Sequence, residues 1–325
     1  MKSTNKLLII KPKYGLCNQI TSIVKGIILA HISKRDIYID KFQIDYNNSE
    51  NRIELSEIFN LKKLYQIIKF LKLNVTIIHK LILDNRNIVN NININEYNNC
   101  TDGNIKEHNY KINFISYLEN NEKEDILDIG DTISSIIPES YTQIYENFKI
   151  NIPFHITYIQ SSIKVKECFQ LQNYICIHLR LEDDCFKFMN ALIYNNIEQE
   201  EIVNTYKRIY EDELENIKKY NVKIYVCTSL CIYPNSLNEY YQNLKKKYNL
   251  IDKNDLINSF IFDNKNNSRE LYGIIDFIIA KDSNYFIGCD WSSFSILLYN
   301  THKFYNKSPK LLNLWKSCKI NNEKI

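Results

Sequence analysis

The stretch "LLIIKPKYGLCNQITSIVKGIILAHISKRDIYID", residues 7–40, decides how the N-terminal part of the chain folds. It begins with an apolar strand, "LLIIK", and a short turn, and it ends with a second strand, "DIYID". Between them, apolar side chains recur at helical spacing at Ile20, Ile23, Val24, Ile27 and Ile28. A strand, a turn, a helix and a strand in this order predict the opening of a doubly wound α/β domain.

The second half of the chain alternates strands and helices more regularly. The predicted strands are "NYICIHLRL" at 173–181, "VKIYVCTS" at 222–229, "INSFIF" at 257–262 and "NYFIGCD" at 284–290. The predicted helices cover 197–219, 235–248, 268–282 (with Ser268 as a cap) and 292–304. This alternation predicts a second parallel sheet.

The chain is therefore expected to contain two Rossmann-like domains, over residues 1–170 and 171–325, with a ligand cleft at the carboxyl ends of their strands. Its length of 325 residues agrees with about two domains of ~150 residues. The final helix can pack back on the N-terminal domain. The stretch 50–150 gives a weaker signal: a helix over 53–72 and a polar loop over 85–112, with the order of elements left open.

Charge and cysteine content restrict the class of protein. The 41 basic and 38 acidic residues give a formal charge of +3 without a basic face, which argues against nucleic acid as a partner. The segment "MKSTNKLLIIKP" has too short an apolar run for a signal peptide, and no run approaches a membrane span. Nine scattered cysteines without a second Cys/His pair beside Cys227 and Cys231 favour free thiols in a cytosolic setting over a zinc site.

The first stretch that can carry chemistry is "YGLCNQI", residues 14–20, at the first strand-to-helix turn. Gly15 permits a tight turn or a positive φ and lets the backbone come close to a ligand. The amide of Asn18 can cap the following helix or extend into the cleft. The stretch lacks G-x-G-x-x-G and G-K-[ST], so dehydrogenases and P-loop enzymes are not favoured.

The second stretch is "ICIHLRLEDD", residues 175–184. On a strand, His178 and Arg180 share one face, whereas the alternating Ile and Leu residues pack on the other. A buried Arg needs an anion: either a neighbouring carboxylate, such as Glu182 or Asp183, or a phosphate, which Arg grips with two parallel hydrogen bonds. The acids that follow resemble a metal-binding D-x-D pattern, but Arg180 and a helix dipole favour a phosphate neutralised without metal.

The third stretch is "GCDWSSFS", residues 288–295, which passes from strand to helix. Asp290 lies at the turn, and Ser292 and Ser293 lie at the start of the helix. The free N–H groups and the positive dipole end there form an anion site, and the hydroxyls add hydrogen-bond donors. Ordinary N-capping by serine is the alternative explanation.

Taken in order, "GLCNQ", "HLRLEDD" and "DWSSFS" resemble the motifs of the O-fucosyltransferase-like superfamily of inverting glycosyltransferases. "HLRLEDD" is most similar to its protein O-fucosyltransferase and plant pectin rhamnosyltransferase branches. The resemblance implies an α/β fold of the GT-B type and a nucleotide-sugar donor, GDP-fucose being favoured, bound mainly by the C-terminal domain without metal or other cofactor. The acceptor implied is a hydroxyl of a glycan or protein.

The resemblance also implies roles for particular residues. Arg180 would bind the diphosphate with His178 nearby, and Asn18 would face the reaction centre. Glu182 is a candidate base only by adjacency and can instead orient Arg180. The remaining substrate-binding residues implied, or placed nearby by the three stretches, are Gly15, Asp276, Asp290, Ser292, Ser293 and Phe294; Asp276 would touch the base or hold the loop.

Two departures and two alternatives accompany this resemblance. Cys17 stands where some branches have Gly, and the chain shows no secretory signal although eukaryotic members of the superfamily are mostly secretory. One alternative is another sugar donor, such as UDP-rhamnose. The other is a non-catalytic protein that binds a nucleotide sugar.

Overall fold

The computed structural model describes residues 6–45, 48–79, 88–89, 125–130, 132, 137–182, 186, 199–230, 235–257 and 268–314. The chain divides into two compact units, residues 1–155 and 156–325. The sequence places this division between residues 170 and 171, so the two boundaries differ by one helix, Ile156–Cys168. That helix belongs to the second unit because it packs there, where Lys166 also forms an ion pair with Asp282 at 2.5 Å.

The first unit contains seven strands and four α-helices among the described residues. The strands are β1 Leu7–Ile10, β2 Asp36–Ile39, β3 Phe42–Asp45, β4 Asn48–Ile53, β5 Ile77–Ile78, β6 Ile88–Val89 and β7 Ile126–Gly130. The helices are α1 Leu16–Ile32, α2 Leu55–Ile58, α3 Leu61–Phe70 and α4 Thr142–Ile150, and a 3₁₀ turn covers Glu139–Tyr141.

A parallel sheet forms the centre of the first unit, with strand order β5-β2-β1-β7-β6. Strand β1 is central, and its four residues "LLII" are buried, as expected for a parallel strand covered on both faces. Helix α1 follows β1, and most of its apolar residues are buried against the sheet and α4. Strands β3 and β4 form a separate antiparallel hairpin.

The second unit contains five strands and six helices among the described residues. The strands are β8 Tyr174–His178, β9 Lys223–Cys227, β10 Leu250–Ile251, β11 Tyr285–Cys289 and β12 Lys310–Leu312. The helices are α5 Ile156–Cys168, α6 Gln199–Lys218, α7 Asn238–Tyr248, α8 Asn254–Ile257, α9 Arg269–Asp282 and α10 Ser293–Phe304.

The sheet of the second unit is also parallel, with strand order β10-β9-β8-β11-β12. The chain builds outward from β8 in one direction and then returns to add β11 on the other side. The strand order therefore reverses between β8 and β11, and α/β proteins bind ligands at the carboxyl ends of strands at such a switch point. The prediction of two α/β units with parallel sheets is confirmed.

The two faces of β8 are both buried. Ile175 and Ile177 belong to a core with α6 and α7, in which Tyr206, Tyr210 and Tyr241 are fully buried. On the other face, the hydroxyl of Tyr174 donates to the Ile279 carbonyl of α9 at 2.6 Å. Only the carboxyl end of β8 is left for polar chemistry. Helix α10, predicted as the last helix, packs against β11 of its own unit.

Several element boundaries differ from the sequence prediction. The helix predicted over 53–72 is divided into α2 and α3, because Phe59 pairs with Phe154 and the side chain of Asn60 caps α3 by accepting from the Lys63 amide. The strand predicted over 257–262 is wrong at its first residue, which ends α8; the Asp252 carboxylate starts that helix by accepting from the Asn254 amide at 2.8 Å. The rest of that strand lies outside the described residues. Of the loop predicted over 85–112, only residues 88–89 are described, and there the prediction is wrong because they pair with β7 as strand β6.

Two further features of the described residues are the character of the helices and the state of the cysteines. None of the described helices has the length and apolar character needed to cross a membrane. The described cysteines are free thiols: Cys17, Cys168, Cys176, Cys227 and Cys289.

Candidate functional site

The candidate site of the second unit lies at the switch point between β8 and β11. His178 is the last residue of β8, and Arg180 follows two residues later. Helix α10 begins just beyond β11, with Ser292 as its N-cap. The topology thus brings together two of the stretches singled out in the sequence.

His178 is buried and held from two sides. Its Nδ1 lies 2.7 Å from the hydroxyl of Ser295 in α10, and its ring lies 4.8 Å from that of Phe294. The pKa of His178 is lowered from 6.5 to about 3, chiefly by burial; the charges of Arg180, Arg269 and Lys253 add to this lowering, and Glu182 opposes it. The imidazole is therefore neutral at physiological pH.

Ser295 connects His178 to the end of β11. Its hydroxyl oxygen accepts from the Cys289 amide at 3.0 Å, and the same hydroxyl lies 2.7 Å from Nδ1 of His178 and 3.8 Å from Cys289 Sγ. The neutral imidazole that makes this contact has one N–H donor and one acceptor nitrogen. Gly288 is required for this contact, because a Cβ there would lie 2.6 Å from Cβ of Ser295.

Arg180 is fixed by its backbone and by its side chain. Its amide donates to the Tyr210 hydroxyl at 3.0 Å, and that hydroxyl donates to the His178 carbonyl at 3.2 Å. Its guanidinium donates to Glu182 Oε2 at 2.7 Å and lies 6.0 Å from the ring of Trp291. The Arg180 side chain is 14% exposed, so part of it can contact a ligand while its ion pair with Glu182 fixes its orientation.

Glu182 is a buried carboxylate with partners for both oxygens. Oε2 accepts from Arg180, and Oε1 accepts from the Ser229 amide at 3.1 Å and its hydroxyl at 2.6 Å. Burial would raise the pKa of Glu182, but the charges of Arg180 and Arg269, with the Ser229 hydrogen bond, hold it well below its usual range. Such a carboxylate is a weak base. Of the two roles left open by the sequence, the geometry favours orientation of Arg180.

Asp276 in α9 is also buried and fully engaged. Oδ1 accepts from the Tyr225 hydroxyl at 2.8 Å, and Oδ2 accepts from Lys253 Nζ at 2.5 Å. Burial raises the pKa of Asp276 to about 6, against the opposing effects of Lys253 and Tyr225. Because both oxygens are already engaged, the geometry favours a role in holding Tyr225 and Lys253 in place over contact with the nucleobase of a ligand.

The start of α10 forms the other side of the site. The Ser292 side chain accepts from the Ser295 amide at 3.5 Å, a weak cap, and Ser293 is exposed at the first helical position. Phe294 packs edge-on against Phe277 at 6.0 Å and is partly exposed. Asp290 lies in the turn, where its amide donates to the Leu312 carbonyl at 3.1 Å.

The turn at 14–20 belongs to the first unit and differs from expectation in two respects. Gly15 has an extended backbone, with φ −68 and ψ 164, and the positive φ falls on Tyr14 instead, at 71. Asn18 is the third residue of α1 and does not cap it, because α1 has no side-chain cap. Gly15 itself closes the first turn, since its carbonyl accepts from the amides of Asn18 and Gln19.

Gln19 holds this turn from behind. Its side-chain amide donates to the carbonyls of Tyr14 at 2.8 Å and Gln43 at 2.7 Å, and its oxygen accepts from the Gln43 amide at 2.8 Å. Gln19 is fully buried, whereas Asn18 is partly exposed. Of the adjacent Asn and Gln, the second is structural and the first is left available.

The sequence did not single out five residues that the structure adds to the site: Tyr210, Tyr225, Ser229, Lys253 and Ser295. Ser295 belongs to the quoted stretch "GCDWSSFS", and its position three residues after the N-cap Ser292 is the local signal that it carries. The others come from separate elements and carry no local pattern. Asp183 lies outside the described residues, and within the described ones no group of three His, Cys, Asp or Glu side chains could hold a metal ion.

Comparisons with known proteins bear on the family and the fold of the chain. The family model described as GDP-fucose protein O-fucosyltransferase matches residues 7–305. A crystal structure of POFUT1 in complex with GDP-fucose is similar with a TM-score of 0.58 and 12% identity, covering 94% of this chain and 98% of that one. A structure of the fucosyltransferase NodZ from Bradyrhizobium has a TM-score of 0.50 and 11% identity, with 92% and 93% covered. At these identities the similarity concerns the fold, which is of the GT-B type. No curated protein sequence matches the chain.

Proposed function

The chain belongs to the GDP-fucose protein O-fucosyltransferase family and is a glycosyltransferase, and from that premise we propose that it transfers fucose from GDP-fucose to a hydroxyl group with inversion of configuration and without a metal ion. The description of the family supports this sugar donor, as does the presence of GDP-fucose in the similar POFUT1 structure. The acceptor hydroxyl belongs to a glycan or a protein.

The observation that carries this proposal is the arrangement of Arg180 at the switch point of the second unit. Glu182 orients its guanidinium and Tyr210 accepts from its backbone amide, at the carboxyl end of β8 and beside the start of α10. A guanidinium in a partly buried position binds diphosphate oxygens with strong, charge-assisted hydrogen bonds. The N–H groups at Ser293 and Phe294 add the positive end of the helix dipole.

His178 complements Arg180 as a neutral donor. In the tautomer that carries its proton on Nε2, His178 can donate to a phosphate or ribose oxygen without adding a second charge that the buried site would have to accommodate. Phe294 offers a partly exposed ring against which a base can pack, and Asp290 is placed at the turn beside it. Asp276 is proposed to hold Lys253 and Tyr225 in place, without contact to the nucleobase.

The chemistry follows from these charges. The bond between the sugar carbon and the diphosphate oxygen breaks, and its electron pair moves to the diphosphate, where Arg180, His178 and the start of α10 stabilise the growing charge. The oxygen of the acceptor attacks the sugar carbon from the opposite face, which inverts its configuration. The proton of the acceptor hydroxyl is lost to a base or to water. Asn18, with Gly15 beside it, is proposed as the substrate-binding position of the first unit, for the acceptor.

Positive charge from side chains and a helix start replaces what a divalent ion would supply to the leaving diphosphate, which supports the metal-independent form of the proposal. Glu182 is proposed to orient Arg180, because both its oxygens are engaged and its basicity is low. The cytosolic setting expected from the sequence stays a prediction.

Thermal unfolding with added nucleotides tests the proposal. The protein is measured with GDP, UDP, GDP-fucose and UDP-rhamnose, each with and without EDTA. GDP and GDP-fucose at about 100 times their dissociation constants are expected to stabilise the protein by about 2.7 kcal/mol, with or without EDTA. If only the UDP compounds stabilise the protein, the donor is a UDP-sugar and the assignment of GDP-fucose is wrong. If EDTA abolishes the stabilisation, the proposal of metal independence is wrong.

Slow hydrolysis of the sugar donor tests the stereochemistry. When water takes the place of the acceptor, NMR of the freshly released fucose is expected to show the anomer opposite to that in the sugar donor. Release of the same anomer would contradict inversion.

A further inference from the structure

One peptide group of the second unit lies between a buried ammonium and a buried carboxylate. It joins Thr228 and Ser229, directly after β9. Its carbonyl accepts from Lys253 Nζ at 2.7 Å, and its N–H donates to Glu182 Oε1 at 3.1 Å. A cation on the carbonyl and an anion on the N–H polarise the peptide in the same direction, so each hydrogen bond strengthens the other.

The cation of this arrangement has a counterion behind it. Only 4% of the Lys253 side chain is exposed, and its ammonium also donates to Asp276 Oδ2 at 2.5 Å. Tyr225 donates to the other oxygen of Asp276. A buried ion pair adds little to stability when compared with apolar residues of similar volume, so stability alone does not account for a charge at this place.

The anion of this arrangement leads directly to Arg180. Glu182 accepts from Ser229 on one oxygen and from the guanidinium of Arg180 on the other. An unbroken series of contacts therefore runs from Asp276 through Lys253, the peptide at 228–229 and Glu182 to Arg180. The longest hydrogen bond in it measures 3.1 Å.

We propose that Lys253 is a positioning residue for sugar-donor binding, which sets the orientation of Arg180 through the peptide at 228–229 and Glu182. The inference rests on the proposed function, because it assumes that Arg180 binds the diphosphate. Lys253 acts by polarising and anchoring this peptide, and Asp276 acts by keeping Lys253 charged and in place. Neither residue touches the sugar donor.

The test is to replace Lys253 with Met, which keeps the length of the side chain and removes its charge. GDP binding by calorimetry is expected to weaken about tenfold, and KM for GDP-fucose to rise more than kcat falls. The control is Lys310→Met, which removes a lysine from another pair with a buried carboxylate, Glu213, in the same unit; it should leave GDP binding unchanged. Unchanged binding in Lys253→Met would overturn the inference.

A second background shows whether Lys253 acts through Glu182. In Glu182→Gln, the series of contacts is already weakened, so adding Lys253→Met is expected to change GDP affinity by no more than about twofold. The same tenfold loss in both backgrounds would mean that Lys253 acts on the nucleotide by another route. If Lys253→Met does not fold, the double variant Lys253→Met/Asp276→Asn removes both buried charges and should show the same loss of affinity.

A measurement without ligand separates this inference from the proposed function. NMR resonances of the Ser229 amide and the Arg180 Nε–H are expected to shift in Lys253→Met and to stay in place in Lys310→Met. If both resonances shift in Lys253→Met but the wild type binds no GDP, Lys253 does position Arg180 and the proposed function is wrong. If neither shifts, the inference is wrong whatever the protein binds.

Discussion

Helices α1 and α10 both begin beyond the carboxyl end of a central strand, but their first turns are built in opposite ways. Helix α1 has no side-chain cap, and neutral hydrogen bonds from Gln19 hold its turn. Helix α10 is capped by Ser292 and linked through Ser295 to His178, beside a network of buried charges. At the start of α1, hydrogen bonds fix the backbone and leave side chains such as Asn18 available. At the start of α10, hydrogen bonds fix the side chains themselves.

This difference suits the two substrates of a transferase. A diphosphate is the same in every reaction cycle, and its developing charge is stabilised best by groups that are already oriented. Under the proposed function, the neutral turn with the available Asn18 serves the other substrate, the acceptor. The predictions below test this contrast, from the largest expected effect to the smallest.

The largest effect is expected from Arg180→Ala. Removing the guanidinium leaves the diphosphate without its main charged partner, so GDP affinity should fall at least 100-fold, or about 2.7 kcal/mol. Isothermal titration calorimetry measures it. Arg52→Ala is the matched control, because Arg52 pairs with Asp40 in the first unit at 3.1 Å and should leave GDP binding unchanged. Retained GDP binding in Arg180→Ala would mean that Arg180 has only a structural role.

The second effect concerns the response of stability to pH. The pKa of His178 is lowered to about 3 in the folded protein, so the unfolded chain binds a proton below pH 6.5 that the folded chain refuses. His178 should therefore lower the free energy of unfolding as the pH falls, by about 2.5 kcal/mol between pH 6.5 and 4.5.

Comparing urea unfolding of the wild type and His178→Asn across this pH range isolates the effect, because the variant should lose that slope. His31→Gln in the first unit is the control. Burial lowers the pKa of His31 too, but His31 is less buried, so its variant should change the slope less. Equal slopes in wild type and His178→Asn would show that the imidazole is not held neutral.

Much of this contrast can be anticipated from the sequence, and the missing part has a physical cause. Period-two alternation placed His178 and Arg180 on one side of a strand, and the serines after β11 marked a helix start, because both signals are local. The separation of α2 from α3 depends on the contact of Phe59 with Phe154, far along the chain. No local pattern reveals such a contact.

The buried network was missed for the same reason. Lys253 and Ser229 are ordinary polar residues in the sequence, and their importance appears only when the sheet order brings β9 beside β8 and β10 beside β9. The turn at Tyr14 was misassigned because glycine is the usual residue at positive φ, but hydrogen bonds from Gln19 impose that conformation on its neighbour. Contacts between residues far apart in sequence therefore account for the omitted network, whereas the error at Tyr14 comes from a side-chain hydrogen bond five residues away.

The third effect compares the adjacent residues Asn18 and Gln19. Gln19→Ala leaves the Tyr14 and Gln43 backbone groups without their partner and should cost about 2 kcal/mol of unfolding free energy. Asn18→Ala should cost less than about 0.5 kcal/mol but lower kcat. Urea unfolding and a transfer assay measure both; a larger loss of stability in Asn18→Ala would reverse the assignment.

The smallest effect is expected from Glu182→Gln, and it decides what the buried acid does. An amide keeps an acceptor for Ser229 but loses the charge that orients Arg180, so GDP affinity should fall about tenfold, or 1.4 kcal/mol. If Glu182 were the catalytic base, its loss would instead lower kcat about 10²- to 10⁴-fold at saturating GDP-fucose and remove a limb of the pH profile. Steady-state kinetics across pH separates the two. A carboxylate that binds Arg180 and Ser229 with both oxygens should change KM and leave the shape of the profile intact, which would leave the task of accepting the proton to groups outside this network.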